Sequence, residues 1–140
     1  MIRSITSSPG HVRRGAHMVE FALVIPIFFV FVLGLVEFGR GLMVSSLISN
    51  ATRVGCRTGI LSGSTNDQVT SAIDSLLHGQ GIAGYTTTIT VNGKAVNVST
   101  AQSADTVTVQ ISIPITSASW LPSLSFLSGS LSAQFSMPHE

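Results

Sequence analysis

Two short stretches of this sequence set ionisable side chains where their charge has consequences. The first is Arg13-Arg14-Gly15-Ala16-His17-Met18-Val19-Glu20-Phe21, where a basic pair and a glutamate stand just ahead of an uncharged run. An acid at the edge of an apolar helix is expensive to hold ionised, so Glu20 is by default a functional group unless it sits solvated at the headgroup level. The second is Glu37 and Arg40, three residues apart beyond that run. They read as a local ion pair worth ~0.2–0.5 kcal/mol or as a contact between subunits.

Other chemistry is sparse. The remaining acids are Asp67, Asp74, Asp105 and the C-terminal Glu140, and the distal bases are His78 and His139. No G-x-S-x-G or H-E-x-x-H occurs. The four histidines, His11, His17, His78 and His139, have no metal-ligand spacing. The sequence therefore predicts no catalytic residues, no metal and no cofactor. His78, just before Gly79, suits a helix C-terminus, where the dipole favours a base. Cys56 is the one cysteine, which excludes an internal disulfide. It reads as a small packing residue, the alternatives being a reactive thiol or an intermolecular disulfide. Tyr85 and Trp120 read as core or loop anchors.

The elements that position these residues follow from composition. Charged residues are 9% and hydrophobic ones 44% of 140 residues, too apolar for a disordered chain. Mean hydropathy is +0.49, fitting a small protein with one membrane segment. Net charge is +1, so no basic field for nucleic acid is present. The charges are unevenly placed. Arg3, Arg13 and Arg14 precede residue 16 with no acid among them. Residues 41–140 set Arg53, Arg57 and Lys94 against Asp67, Asp74, Asp105 and Glu140. A basic flank, an apolar block and a near-neutral domain is the layout of a single-pass protein with a cytoplasmic N-terminus.

Phe21 to Val36 is sixteen residues without a charge, about a turn short of the ~20 that span a ~30 Å hydrocarbon core. Extension backward takes in Glu20, and extension forward meets Glu37 and Arg40. Pro26 lies within the run and predicts a kink, which membrane helices tolerate. A secretory signal does not fit: the run exceeds 7–15 residues and no A-x-A site follows. Gly55-Cys56-Arg57-Thr58-Gly59 has GxxxG spacing but lies in polar sequence, and reads as a helix end.

The junction resembles the processing site of type IV prepilins: a basic leader ending in glycine, four residues, a glutamate, and an immediate apolar helix. The resemblance implies cleavage by a prepilin peptidase between Gly15 and Ala16, with Glu20 fifth in the mature chain. Glycine before the bond lets the backbone lie extended in a protease cleft. Arg13 and Arg14 hold the leader at the anionic cytoplasmic face. Cleavage creates an ammonium at Ala16, and the Glu20 carboxylate of an incoming subunit can pair with a neighbour's ammonium. Pairing offsets the cost of a buried acid and fixes axial register.

A narrower resemblance covers about residues 13–63. Val19-Glu20-Phe21-Ala22-Leu23, Pro26, Gly34, Glu37-Phe38-Gly39 and Ala51-Thr52-Arg53-Val54-Gly55-Cys56-Arg57 look like the TadE-like family of pseudopilins, minor components of tight-adherence (Tad, or Flp) pilus systems. Cys56 departs from the small residue, such as alanine, more usual there. The resemblance implies a structural role in pilus assembly and adhesion. It implies as partners the prepilin peptidase, a membrane platform protein, an assembly ATPase, the major pilin and other pseudopilins. The alternative is an uncleaved single-pass anchor displaying an exported ligand-binding domain.

Past the membrane, Met43, Leu47, Ala51 and Val54 keep helical spacing to about Leu61. A helix over 16–61 would be about 69 Å long at 1.5 Å per residue. Gly63 to Asp67 is a turn, with Thr65 or Asn66 capping a helix over 67–78 whose Val69, Ala72, Ile73, Leu76 and Leu77 share a face. Thr86–Val91 and Ala95–Val98 flank Asn92-Gly93 and predict a two-residue hairpin. Thr106–Ile115 alternates as a third strand, with Pro114 marking its end or an edge. Leu131–Met137 is a fourth, and the Trp120 region with residues 123–130 forms the link before it.

The expected fold is α+β: a long N-terminal transmembrane and stalk helix, then a small extracytoplasmic domain with one helix on a 3–4-stranded antiparallel sheet. The expected divisions are a leader at 1–15, the transmembrane helix at 16–37, the stalk at 38–62 and the outer domain at 63–140. The expected location is the bacterial inner membrane, with the N-terminus cytoplasmic and incorporation into a pilus.

Overall fold

The computed structural model describes residues 12–118 and 129–140. The chain is α+β, a long apolar N-terminal helix followed by a small domain with a helix and a three-stranded antiparallel sheet. It divides into two compact units, Met1–Val36 and Glu37–Glu140. Helix α1 (Val12–Gly59) contributes to both.

In the first unit the described residues of α1 form no core. From His17 to Val36 every described side chain is exposed except Ile25 and Val32, which are half-buried. Phe21, Phe28, Phe29 and Phe31 are each 59–66% exposed, and Ile27 and Val30 reach 71%. The best 18-residue window of this helix has a mean hydropathy of 2.7. Among the described residues it is the one helix long and apolar enough to cross a membrane. Helix α1 takes in Val12–Gly15 as well, ahead of Ala16.

The second unit is built on an antiparallel sheet of order β1-β2-β3: β1 (Thr86–Val91), β2 (Thr106–Pro114) and β3 (Ser130–Pro138). Strand β2 is central, and its alternate residues Val107, Val109, Ile111 and Ile113 are fully buried. Ile89 pairs with Val109, and Val109 with Phe135, so one apolar row crosses all three strands. Helix α2 (Asn66–His78) lays Val69, Ile73 and Leu77 into the same core. Its start is a capping box: Thr65 Oγ1 accepts the Gln68 N–H, and Gln68 Oε1 accepts the Thr65 N–H. Its end is a Schellman closure, with Gly81 in the left-handed region at φ 69°. Ile82 N–H bonds to Leu77 C=O and Gly81 N–H to His78 C=O. One further turn of helix, α3 (Ile115–Ala118), follows β2.

Two expectations are corrected here. The second arm of the predicted hairpin, Ala95–Val98, is not a strand. The Asn92-Gly93 turn itself forms, with φ of 50° and 75° and mutual Val91–Lys94 backbone bonds of 2.9 Å. The chain then leaves the sheet, because a different set of bonds captures it. Asn66 Oδ1 accepts the Val98 N–H at 2.9 Å, and Asn97 Oδ1 accepts the Ser99 N–H at the start of a 3-10 turn (Val98–Thr100). Val98 is thereby fully buried, and β1 takes its ladder from β2, 14 residues further on at Asn92 and Thr106.

The second correction is the inner face of α1. Met43 is 53% exposed, and Leu47 and Val54 are only half-buried. The buried stripe is Val44, Ile48, Ala51, Thr52, Gly55, Cys56 and Gly59. A Cβ at Gly55 would stand 2.7 Å from Ile73 Cδ1, and one at Gly59 would stand 3.3 Å from both Val107 Cγ1 and Val69 Cγ2. The GxxxG spacing is thus an internal packing surface on which α2 and β2 approach the helix, not merely a helix end. Cys56 Sγ, fully buried, donates to the Val107 carbonyl at 3.3 Å, and burial pushes the thiol above its ordinary pKa. That is the packing role expected for it. The Trp120 region of the expected link lies outside the described residues.

Candidate functional site

The residues singled out for processing and pairing lie at the start of α1. Gly15 is exposed, and a Cβ placed on it would meet nothing within 4 Å. This distinguishes it from Gly55 and Gly59, whose surroundings demand glycine. Packing of the described chain gives no reason for glycine at position 15. The Gly15–Ala16 bond lies inside the helical span, so a protease that cuts there must unwind it. Glycine lowers the resistance: it is about 1 kcal/mol worse than alanine in a helix interior, about fivefold in the open population. The side chains of Arg13, Arg14 and Ala16 lie outside the described residues.

Glu20 is 75% exposed at its side chain. Its carboxylate Oε2 is 3.4 Å from Nδ1 of His17, one turn earlier and itself 78% exposed. That is at the long end for a hydrogen bond. The sequence reading named both residues but did not pair them; their i, i+3 spacing was the available signal. Pro26 stands within α1, which is helical on both sides of it. Lacking an N–H, it cannot return the usual bond to the Ala22 carbonyl. Glu37 and Arg40 lie one turn apart on α1 in the second unit, both half-buried.

Residues 15–57 match the family model described as TadE-like protein. This segment is TadE-like. The match begins at Gly15 and ends at Arg57, so it takes in Glu20, Pro26, Glu37, Arg40 and the packing stripe as far as Cys56. No curated protein and no solved structure matches the chain. The match spans less than a third of the chain, and the apolar N-terminal helix it takes in is long and apolar enough to cross a membrane.

In the second unit an open polar depression of about 400 Å³ is lined by Thr70, Asp74, His78, Gly84, Tyr85 and Thr87. Tyr85 O–H donates to Asp74 Oδ1 at 2.5 Å, and the His78 ring meets the Tyr85 ring edge-on at 6.1 Å. Burial, then the hydrogen bond to Asp74 and its negative charge, push the Tyr85 phenol up to about 12. It stays protonated at neutral pH and holds the Asp74 carboxylate, so the pair ties α2 to the start of β1. His78, exposed, ends α2 as its spacing predicts. Arg53 lays its guanidinium 5.5 Å from the centre of the Phe135 ring, covering part of the half-buried β3 edge.

Proposed function

We propose that this chain is a minor pilin, or pseudopilin, of a Tad-type pilus, with a structural role in pilus assembly and surface adhesion. In this reading a prepilin peptidase removes residues 1–15 by cutting between Gly15 and Ala16. Residues 16–37 then anchor the mature chain, 38–62 extend as a stalk, and 63–140 form the outer domain. The observation that carries the proposal is the TadE-like match, which starts at Gly15 and takes in the stretch from His17 to Val36 whose apolar side chains are almost all exposed.

Arg13 and Arg14 hold the leader at the anionic cytoplasmic face, which sets the N-terminus inside and the second unit outside the inner membrane. Cleavage frees an ammonium at Ala16. The Glu20 carboxylate pairs with such an ammonium on a neighbouring subunit, and this match of opposite charges fixes how far each helix slides past the next. Pro26 kinks the helix within the apolar region, and Glu37 with Arg40 makes a charged contact near the outer interface. The partners are the peptidase, the platform protein, the assembly ATPase, the major pilin and other pseudopilins. TadE-like pilus proteins are structural, and we assign this chain no enzymatic activity.

The test is intact mass and N-terminal sequencing of the protein recovered from membranes, with and without the peptidase. A start at Ala16 that requires the peptidase is the expected result. A start at Met1 would refute processing and leave a single-pass anchor that displays a binding domain. A cut after the apolar run would leave a secreted domain.

A further inference from the structure

We propose that His17 is the positioning residue for Glu20: its imidazole holds the carboxylate at the N-terminal edge of the apolar helix until a neighbouring subunit's ammonium takes it. The proposal rests on the processing and pairing reading above.

Glu20 can reach few polar groups on its own helix. One turn along α1 its neighbours are Ala16 and His17 on one side and Leu23 and Val24 on the other. Of these four side chains only that of His17 carries a polar atom, and its Nδ1 lies 3.4 Å from Glu20 Oε2. Every other described side chain from Met18 to Val24 is apolar and exposed. In that setting an ionised carboxylate without a partner is costly, and one hydrogen-bonded donor removes much of the cost.

His17 itself is placed for this role by the cleavage. On the uncut helix its neighbours one turn back are Arg13 and Arg14, and one turn forward Glu20 and Phe21. Removal of residues 1–15 takes both arginines away. Glu20 is then the one ionisable side chain within a turn of His17 on its own helix. The new Ala16 ammonium stands directly beside it in the chain. Helical side chains lean toward the N-terminus, so a carboxylate drawn toward His17 also points to the end of the helix, where the pairing ammonium of another subunit must approach. A neutral imidazole protonated on Nδ1 suffices as donor. The contact is long and exposed, so a stronger cationic partner displaces it readily. Glu20 is thereby held and then released.

The experiment uses the full chain in cells that assemble the pilus. It compares His17→Leu, His17→Gln, Glu20→Ala and the double variant His17→Leu/Glu20→Ala. Two quantities are read for each: the fraction processed to Ala16, by intact mass, and the fraction of the chain recovered with sheared filaments. Processing is expected to be unchanged throughout. His17→Leu should lower filament recovery several-fold, and His17→Gln, which keeps an N–H donor, should restore most of it. In the Glu20→Ala background His17→Leu should have no further effect. Recovery of His17→Leu at the wild-type level would overturn the proposal. So would a loss that persists without Glu20, or a loss that glutamine fails to restore. Failure of the wild-type chain to be processed, or a normal Glu20→Ala, would instead overturn the reading on which it rests.

Discussion

Adding a single methyl group at Gly55 tests the internal packing surface directly. In Gly55→Ala the new Cβ would lie 2.7 Å from Ile73 Cδ1, 2.9 Å from Ile73 Cγ1 and 3.5 Å from Val109 Cγ1. The first two distances are inside van der Waals contact, and Ile73 is fully buried, so it has no solvent to move into. Overpacking of this kind costs about 1–3 kcal/mol. Against it stands the helical preference for alanine over glycine, about 1 kcal/mol. The net effect ranges from neutral to about 2 kcal/mol destabilising. A cleaner quantity is the difference from Gly39→Ala on the same helix. A Cβ there meets nothing within 4 Å, so that variant has the propensity gain without the clash. The gap between the two isolates the clash, about 1–3 kcal/mol. For a domain of this size that is a difference in melting temperature of at least about 4 °C. The assay is thermal unfolding of the full chain in detergent, followed by circular dichroism. Ile73→Val, which removes the nearest atom, should recover at least about 0.5 kcal/mol in combination with Gly55→Ala, measured as a double-mutant cycle. Gly55→Ala melting at or above Gly39→Ala would refute the assignment of GxxxG to internal packing.

Other outcomes follow from the same structure. On the proposed pilin reading, Glu20→Ala should leave processing at Gly15 intact and reduce the amount of chain in filaments, as read by mass and by recovery from sheared pili. The chain has one tyrosine, so ultraviolet absorbance follows the Tyr85 phenol alone, and its midpoint should fall near 12 in the folded protein. Because that value is raised above the unfolded one near ~10, the stability Tyr85 contributes is full below ~10 and is lost as pH rises through about 12. Asp74→Asn should bring the midpoint back toward ~10. Cys56, buried and shifted up, should resist maleimide in the folded chain and react fully in denaturant, as counted by intact mass.

The sequence showed the sheet and α2 more plainly than the packing of α1. Strand β3 was legible because Leu131, Ala133, Phe135 and Met137 alternate strictly with polar residues, and β2 because Pro114 ends it. Helix α2 announced itself through the apolar face of Val69, Ala72, Ile73, Leu76 and Leu77 behind a cap at Thr65 or Asn66, and Thr65 is the cap that forms. The return strand at 95–98 was not separable from a loop. Its alternation is too short to outweigh two side-chain amides, Asn66 and Asn97, that reach across about 30 residues of sequence to hold that segment. The inner stripe of α1 was misplaced for a different reason. Periodicity is read from large apolar residues, whereas this face is lined in part by glycine, alanine, threonine and cysteine, chosen for closeness rather than bulk. At the candidate site, the order of glycine, glutamate and apolar run was visible in one dimension. The contact between His17 and Glu20 appears once the helix brings them onto one side.

The position of Cys56 has a consequence for the order in which the second unit can form. The carbonyls that cover its sulfur belong to Val107 and Phe135, 51 and 79 residues later in the chain. The far end is fastened as well: His139 N–H bonds to Asp105 C=O, and Glu140 N–H to Ile60 C=O just past α1. The helix face is therefore made first and covered last. Until the final strand arrives, the Phe135 carbonyl that covers Cys56 is missing from the stripe, and closure waits on contacts of long sequence separation, which are slow to form. A chain emerging N-terminus first passes through an interval in which its long apolar helix is complete and its core is open. During that interval the exposed stripe is the surface most vulnerable to wrong partners.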